Sequence, residues 1–296
     1  MTEKNDKAAA ELLRVLDLET LGPDRYRGDS VNKHWKRVYG GQVVAQAMVA
    51  AYRTIEGRTA HSLHAYFVRM GNPAVPIDYT VTRVRDGRGF TTRSVVATQG
   101  EDAIFTMAIS FHSGEEGLEH QAPLPAVPMP EDLPSPAELE RQLTLKYGDE
   151  AKKLIGRLAP IEFRPIEIER FMQKGIRPVA QDVWMRIDAA LPDDPMLHQV
   201  LIAYVSDYSL IDTALVGHGR AINDPSLQVA SLDHALWFHR QGRADQWMLY
   251  SQDSPSAMSG RALCRGGIFS RDGVLLASAA QEGLLRERRP TAKPFW

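Results

Sequence analysis

The segment GGQVVAQAMVAAY, Gly40 to Tyr52, is apolar on nearly every side, with Val43, Val44, Ala47, Met48 and Ala51 at helical spacing. A surface helix carries a polar face, so this one has to be buried all round. Strands follow it: SLHAYFVR, IDYTVTRVRD, FTTRSVVATQ and AIFTMAISFH, with turns at Asp86-Gly87-Arg88-Gly89 and near Gly100. Period-two alternation between turn residues predicts an antiparallel meander. The plan then recurs. FRPIEIERF and QDVWMRIDA read as strands; Asp194 as an N-cap and Pro195 at the first helical position open a second apolar helix, MLHQVLIAYVS. LQVASLDHALWFH, QWMLYSQDSP, SGRALCRGGIFS and VLLASAAQEGLLR supply strands again. In each copy the strand after the helix is aromatic and ends in arginine: Tyr66-Phe67-Val68-Arg69 and Trp237-Phe238-His239-Arg240.

A duplicated unit of one long buried helix wrapped by a curved antiparallel sheet is an α+β arrangement. Two such sheets joined edge to edge would each cover an exposed edge strand of the other. The first repeat is expected over residues 1–114, opening with an amphipathic helix from Lys7 to about Leu18, and the second over 161–290. Between them, residues 115–160 carry many prolines and no period, predicting an extended connector and then a polar helix around Pro136 to Arg157. Residues 291–296 form a tail.

The 35 Lys and Arg against 37 Asp and Glu, with both signs interspersed, leave no basic stripe for nucleic acid or an anionic membrane. A small-molecule ligand is the better expectation. One cysteine, Cys264, excludes an intrachain disulfide framework and fits a reducing compartment. The N-terminus lacks the features of a signal or transit peptide, and no apolar run approaches the roughly 18 residues needed to span a bilayer. A cytoplasmic protein is expected, with no membrane or nucleic-acid partner.

Three small polar residues interrupt apolar stretches of the second repeat: Asp207 in LIAYVSDYSLI, Ser231 in LQVASLDHALWFHR and Gln281 in LLASAAQEGLL. Buried polar groups need partners, since leaving one unpaired costs about 1–3 kcal/mol. If the three meet, they satisfy one another and jointly hold a water, the layout of a hydrolase without a covalent nucleophile. No matching trio occurs in the first repeat, so one water site per chain is expected.

The ordered blocks GGQVVAQAM, HSLHAYFVR, the LIAYVSD run, LQVASLDHALWFHR and ASAAQEGLLR resemble the acyl-CoA thioesterase II (TesB-like) family of double-hotdog thioesterases, over roughly Leu12 to Arg286. The resemblance implies a double hotdog that splits fatty acyl-CoA into free fatty acid and CoA, without cofactor or metal. It also implies a catalytic trio of Asp, Thr or Ser, and Gln, which falls on Asp207, Ser231 and Gln281. Ser231 stands where many bacterial members have Thr; the hydroxyl is kept, with less restriction at χ1. By analogy, a homodimer or homotetramer is expected.

Thioester hydrolysis needs a positioned water, a base, and donors for the oxyanion. Of the trio only Asp207 can act as the base, and burial raises a carboxyl pKa; Ser231 and Gln281 can orient the water and the carboxylate. Backbone N–H groups at a helix N-terminus suit an oxyanion, which makes Gly41 and Gln42 the candidate donors. The glycines equally suit a tight strand-to-helix turn.

Other constellations are weaker. Ser231, Asp233 and His234 sit too close along one strand to converge as a triad, since adjacent strand residues face opposite ways, and no G-x-S-x-G elbow is present. His61 and His64 likewise diverge, against a shared metal. Asp193 to His198 resembles the Asn-Pro-x-His start of hotdog hydratases, with the histidine one residue late, so an enoyl-CoA hydratase is the alternative enzyme. A non-catalytic acyl-CoA binding protein is the alternative class. Arg69, Arg240 and Arg261 are candidates for the CoA phosphates.

Overall fold

The structure is a computed structural model that describes residues 3–31, 36–148, 160–167, 178–222 and 224–288. Parts of the connector and of the FRPIEIERF segment, and the tail at 291–296, lie outside the described residues.

Helix α1 (Glu3–Leu16) leads into a short hairpin, β1 (Glu19–Gly22) and β2 (Arg25–Gly28). Helix α2 (Gly40–Tyr52) is then followed by β3 (Thr59–Phe67), β4 (Ile77–Asp86), β5 (Phe90–Gln99) and β6 (Asp102–His112). After the connector and α3 (Pro136–Tyr147) come β7 (Ile161–Pro165), β8 (Ala180–Ile187), α4 (Pro195–Ser206) and the short α5 (Asp212–Val216). The chain ends in β9 (Leu227–Ser231), β10 (Asp233–Phe238), β11 (Met248–Met258), β12 (Arg261–Ser270) and β13 (Leu275–Glu287).

The thirteen strands form one sheet, in the order β1-β2-β4-β5-β6-β3-β10-β13-β12-β11-β8-β7, with β9 also paired to β13. Read outward from the centre, β3-β6-β5-β4-β2-β1 on one side answers β10-β13-β12-β11-β8-β7 on the other. The repeats are joined by β3 and β10, antiparallel from Ser62↔Trp237 to Tyr66↔Asp233, so neither central strand is left as a free edge. The hairpin β1–β2 extends the first repeat beyond the meander read from its sequence.

Helices α2 and α4 pack against each other and run antiparallel: Tyr39 Oη, at the start of α2, donates to the Tyr204 carbonyl near the end of α4, and Tyr52 Oη at the other end donates to Gln199. Every α2 residue after Gly40 is buried, as its all-round apolar character requires. Gly41 permits the close approach, since a Cβ there would run into the Tyr204 backbone carbonyl. The Asp194 side chain accepts from the Met196 N–H at 2.9 Å and caps α4, with Pro195 as its first residue.

The connector crosses the second repeat's sheet, where Leu124, Val127, Met129 and Leu133 pack on Trp184, Trp247, Leu249 and Phe269. The expected polar helix is α3, started by a Ser135–Glu138 capping box and ended at Gly148 (φ 76°); residues 149–159 lie outside the description.

One predicted strand is two. LQVASLDHALWFH breaks at Leu232 into β9 and β10: Ser231 pairs with Gly283 and Ala235 with Ala280. Residues 232–234 therefore face only 281 and 282, a bulge of one residue. Asp233 Oδ1 accepts from the Glu282 N–H at 2.7 Å and takes up the ladder donor the bulge displaces.

Candidate active site

Helix α4 ends at Ser206, and Asp207 follows as its C-cap residue, 8% exposed. β9 and β13 bring Ser231 and Gln281 to it: Gln281 Nε2 donates to Asp207 Oδ1 at 2.6 Å and Ser231 Oγ donates to the same oxygen at 3.1 Å. All three predicted residues thus meet. The fourth participant comes from the first repeat, where the Gly41 N–H donates to Asp207 Oδ2 at 2.8 Å. Tyr39, the N-cap residue of α2, makes no side-chain cap, so a carboxylate from the second repeat serves one of the orphan donors at this helix end.

A carboxylate offers about four acceptor positions. Two on Oδ1 and one on Oδ2 are occupied, which leaves one on Oδ2. A Cβ on Gly40 would lie 2.6 Å from Oδ2 and 2.9 Å from the Phe67 ring, so only glycine fits this close to both. Phe67 closes one side, anchored by its N–H to the Leu232 carbonyl at 2.9 Å. Tyr39, Tyr204 and Tyr208 form an edge-to-face cluster close by. Burial, and then the charge of Asp207, push the Tyr39 phenol well above its ordinary range, so it is neutral and donates.

The two predicted oxyanion donors have partners. Gly41 N–H faces Asp207, and Gln42 N–H turns back to the Tyr39 carbonyl at 3.2 Å. The Gln42 side chain is buried and holds the preceding loop, accepting from Val31 N–H and donating to the Asp29 carbonyl.

His234 is fully buried beside the trio, a placement the alternation of a strand does not show. The bulge at Leu232 reverses the facing of the residues beyond it, so that Ser231, His234 and Gln281 share one face. No Ser-His-Asp triad results: Ser231 bonds Asp207, Asp233 bonds a backbone N–H, and His234 Nε2 lies 2.8 Å from Ser206 Oγ. Ser206 has no exposed surface and is out of a substrate's reach. A neighbouring carboxyl, Asp212 at the start of α5, has an enclosed Oδ1 without a hydrogen-bond partner. Burial, and then the charge of Asp207, raise its pKa from 3.8 to about 7.

The remaining candidates lie elsewhere. His198 is buried, its Nδ1 accepting from Ala244 N–H at 3.2 Å, and Asp194 is spent on the helix cap. His64 meets Trp237 on the outer face, while His61 packs against Phe90. The Cys264 thiol is pushed up to about 11, chiefly by burial. Arg69, Arg240 and Arg261 are engaged with Asp102, Glu119 and Glu282. Among the described residues no group of three or more His, Cys, Asp or Glu could hold a metal ion, and no helix is long and apolar enough to cross a membrane.

Two antiparallel helices inside a continuous sheet built from two matching halves make this a double hotdog. A hot dog fold protein of Alicyclobacillus acidocaldarius, 19% identical, superposes with a TM-score of 0.75 over 94% of this chain and 98% of its own. Residues 159–284 match the acyl-CoA thioesterase family and residues 31–112 the acyl-CoA thioesterase N-terminal domain. The chain is 39% identical to acyl-coenzyme A thioesterase 8 of Mus musculus over 92% of this chain and 88% of that one. It is 36% identical to acyl-CoA thioesterase 2 of Haemophilus influenzae, over 93% and 96%. The crystal structure of acyl-CoA thioesterase II TesB2 from Mycobacterium marinum is 40% identical, with a TM-score of 0.77 over 94% and 98%. The chain belongs to the acyl-CoA thioesterase family, whose members are thioester hydrolases.

Proposed function

We infer that the protein hydrolyses fatty acyl-CoA to free fatty acid and CoA, by a water that Asp207 activates and without an acyl-enzyme. One observation carries this reading: three donors fix the Asp207 carboxylate and leave a single acceptor position, on Oδ2. The names of the relatives support acyl-CoA as the substrate.

In this scheme a water donates one proton to Oδ2 and attacks the thioester carbonyl carbon. The carbonyl π electrons move onto oxygen, and the positive end of the α2 dipole favours the charge that forms there, while Gly41 N–H stays on Asp207. Collapse breaks the carbon–sulfur bond, and the proton held by Asp207 leaves with the CoA thiolate. Ser231 and Gln281 donate to Oδ1 throughout, so the carboxylate keeps its rotamer. Only Asp207 changes protonation. A cytoplasmic location and assembly as a homodimer or homotetramer belong to the same reading, the first supported by the lone, buried and unreactive Cys264.

The test is an initial-rate series of thiol release over acyl-CoA chain lengths. Stoichiometric free thiol and fatty acid support the reading. Acyl-CoA that binds but releases no thiol would overturn it in favour of a binding protein, and hydration of crotonyl-CoA without thiol release in favour of a hydratase.

A further inference from the structure

The side-chain amide of Gln281 has two ends. Asp207, when ionised, only accepts hydrogen bonds, so Gln281 must present Nε2 to it, and does so at 2.6 Å. The other end, Oε1, is then directed away from the carboxylate. It is enclosed and has no hydrogen-bond partner within ordinary geometry. Nδ1 of His234, close by, shares that condition. The two residues face each other across the sheet: Ala235 pairs with Ala280, so His234 and Gln281 are the next residues along β10 and β13, on the face shared with Ser231. Both are about 1% exposed or less.

Proton accounting decides how the pair is arranged. His234 Nε2 lies 2.8 Å from Ser206 Oγ, and Ser206 Oγ lies 2.9 Å from the Ala203 carbonyl. A serine hydroxyl has a single proton. If Nε2 carries the ring proton, Ser206 gives its own to Ala203, and the Nδ1 lone pair then faces the Gln281 oxygen, two buried acceptors with no proton between them. If Nδ1 carries it, Ser206 donates to Nε2, Nδ1–H donates to Gln281 Oε1, and Gln281 Nε2–H donates to Asp207. Every bond then points toward the carboxylate, and a chain of this kind polarises each of its members in the same sense. Leaving a buried acceptor unmade costs about 1–3 kcal/mol, which favours the second arrangement.

We propose that His234 is a positioning residue: as the neutral Nδ1–H tautomer it locks the Gln281 amide with its NH2 end on Asp207, in a relay that runs Ser206 to His234 to Gln281 to Asp207. The proposal rests on the trio reading above. The neutral ring fits its surroundings, since burial lowers the His234 pKa, while Asp207, Asp233 and the Gln281 amide oppose that shift more weakly. The relay also gives the Leu232 bulge a purpose, because without the extra residue His234 would face away from Gln281.

The test has two arms. The first reads the tautomer in the wild-type protein, from the imidazole 15N shifts of His234 at pH 8, assigned through the backbone so that no substitution is needed. A protonated Nδ1 and a bare Nε2 are expected; a protonated Nε2 with a bare Nδ1 overturns the relay. The second arm compares two isosteric variants. In His234→Asn the amide NH2 takes the place of Nδ1–H, and in His234→Gln an amide group reaches only the Nε2 position. The expected result is kcat within about threefold of wild type for His234→Asn. For His234→Gln kcat falls by about ten- to a hundredfold, the equivalent of losing one hydrogen bond to a charged group, with KM unchanged. In a Gln281→Ala background His234→Gln adds no further loss.

Equal kcat for the two variants overturns the relay. The failure of the underlying reading looks different: Gln281→Ala would itself keep the wild-type kcat, while the tautomer would still report the hydrogen-bond chain.

Discussion

The Gly41 N–H donates to Oδ2 of Asp207 at 2.8 Å, so the carboxylate that ends the central helix of one repeat caps the start of the other's. The site therefore exists only where the two repeats meet, and the residue just before that donor packs closely against the same oxygen. Gly40→Ala would place a Cβ 2.6 Å from Oδ2. Overpacking of this kind costs about 1–3 kcal/mol in stability, and displacement of the carboxylate is expected to lower kcat by about a hundredfold. Thiol-release kinetics alongside thermal unfolding check this; wild-type kcat in a folded Gly40→Ala protein would show that the close approach of Gly40 to Oδ2 does not matter to catalysis.

Ser231 and Gln281 hold the same oxygen at 3.1 and 2.6 Å, and Gln281 is the more deeply buried. A hydrogen bond to a charged group contributes about 1.5–3 kcal/mol, so each alanine variant is expected to lose about ten- to a hundredfold in kcat, Gln281→Ala more than Ser231→Ala. Ser231→Thr keeps the hydroxyl and is expected to stay near wild type. Steady-state kinetics on the three variants check the order; alanine variants as fast as wild type would remove the trio from the mechanism.

Asp212 predicts a pH dependence of stability. Its pKa is raised in the folded protein, from 3.8 to about 7. Between these values the folded chain holds a proton on Asp212 that the unfolded chain has released, so the contribution of this group to stability falls as pH rises from about 4 to about 7 and is flat on either side. The swing is at most ~4 kcal/mol for a shift of this size. Asp212→Asn removes it: urea midpoints of variant and wild type should separate in the variant's favour across that window. A constant difference from pH 4 to 8 would show that the buried carboxyl is not titrating there.

The trio was legible from two signals together: each member breaks an apolar run, which forces a buried polar group to find a partner, and all three fall in the ordered blocks that resemble one family. The same logic read the apolar character of α2 and α4 and the Asp194-Pro195 start of α4 correctly. The facing of His234 was not legible. Strict alternation sets it opposite to its true facing, and the bulge at Leu232 that corrects this depends on register between β9, β10 and β13, which no single segment encodes. Asp212 escaped notice for a related reason: its enclosure comes from tertiary packing around a short helix, and its own neighbours in sequence give it no distinctive pattern. Gly40 and Gly41 were read as permissive residues, but which of them faces the carboxylate, and which faces the Tyr204 carbonyl, emerges only when the two repeats are docked.

Direct attack by water predicts where solvent oxygen goes. In a single turnover in H2 18O the released fatty acid is expected to carry one labelled oxygen. Peptides containing Asp207 and Ser231 should stay unlabelled, and acid-quenched protein should show no mass increase. An acyl adduct on the intact protein would contradict this, as would label in Asp207.

The central claim is that Asp207 is the base. Asp207→Asn keeps the shape of the side chain and leaves an oxygen for the Gly41 N–H, but it cannot take a proton from water. Its kcat for thiol release from a long-chain acyl-CoA is expected to fall by about 10²–10⁴-fold, the contribution of a positioned general base, with KM little changed. A folded Asp207→Asn protein that retained most of the wild-type kcat would contradict the account.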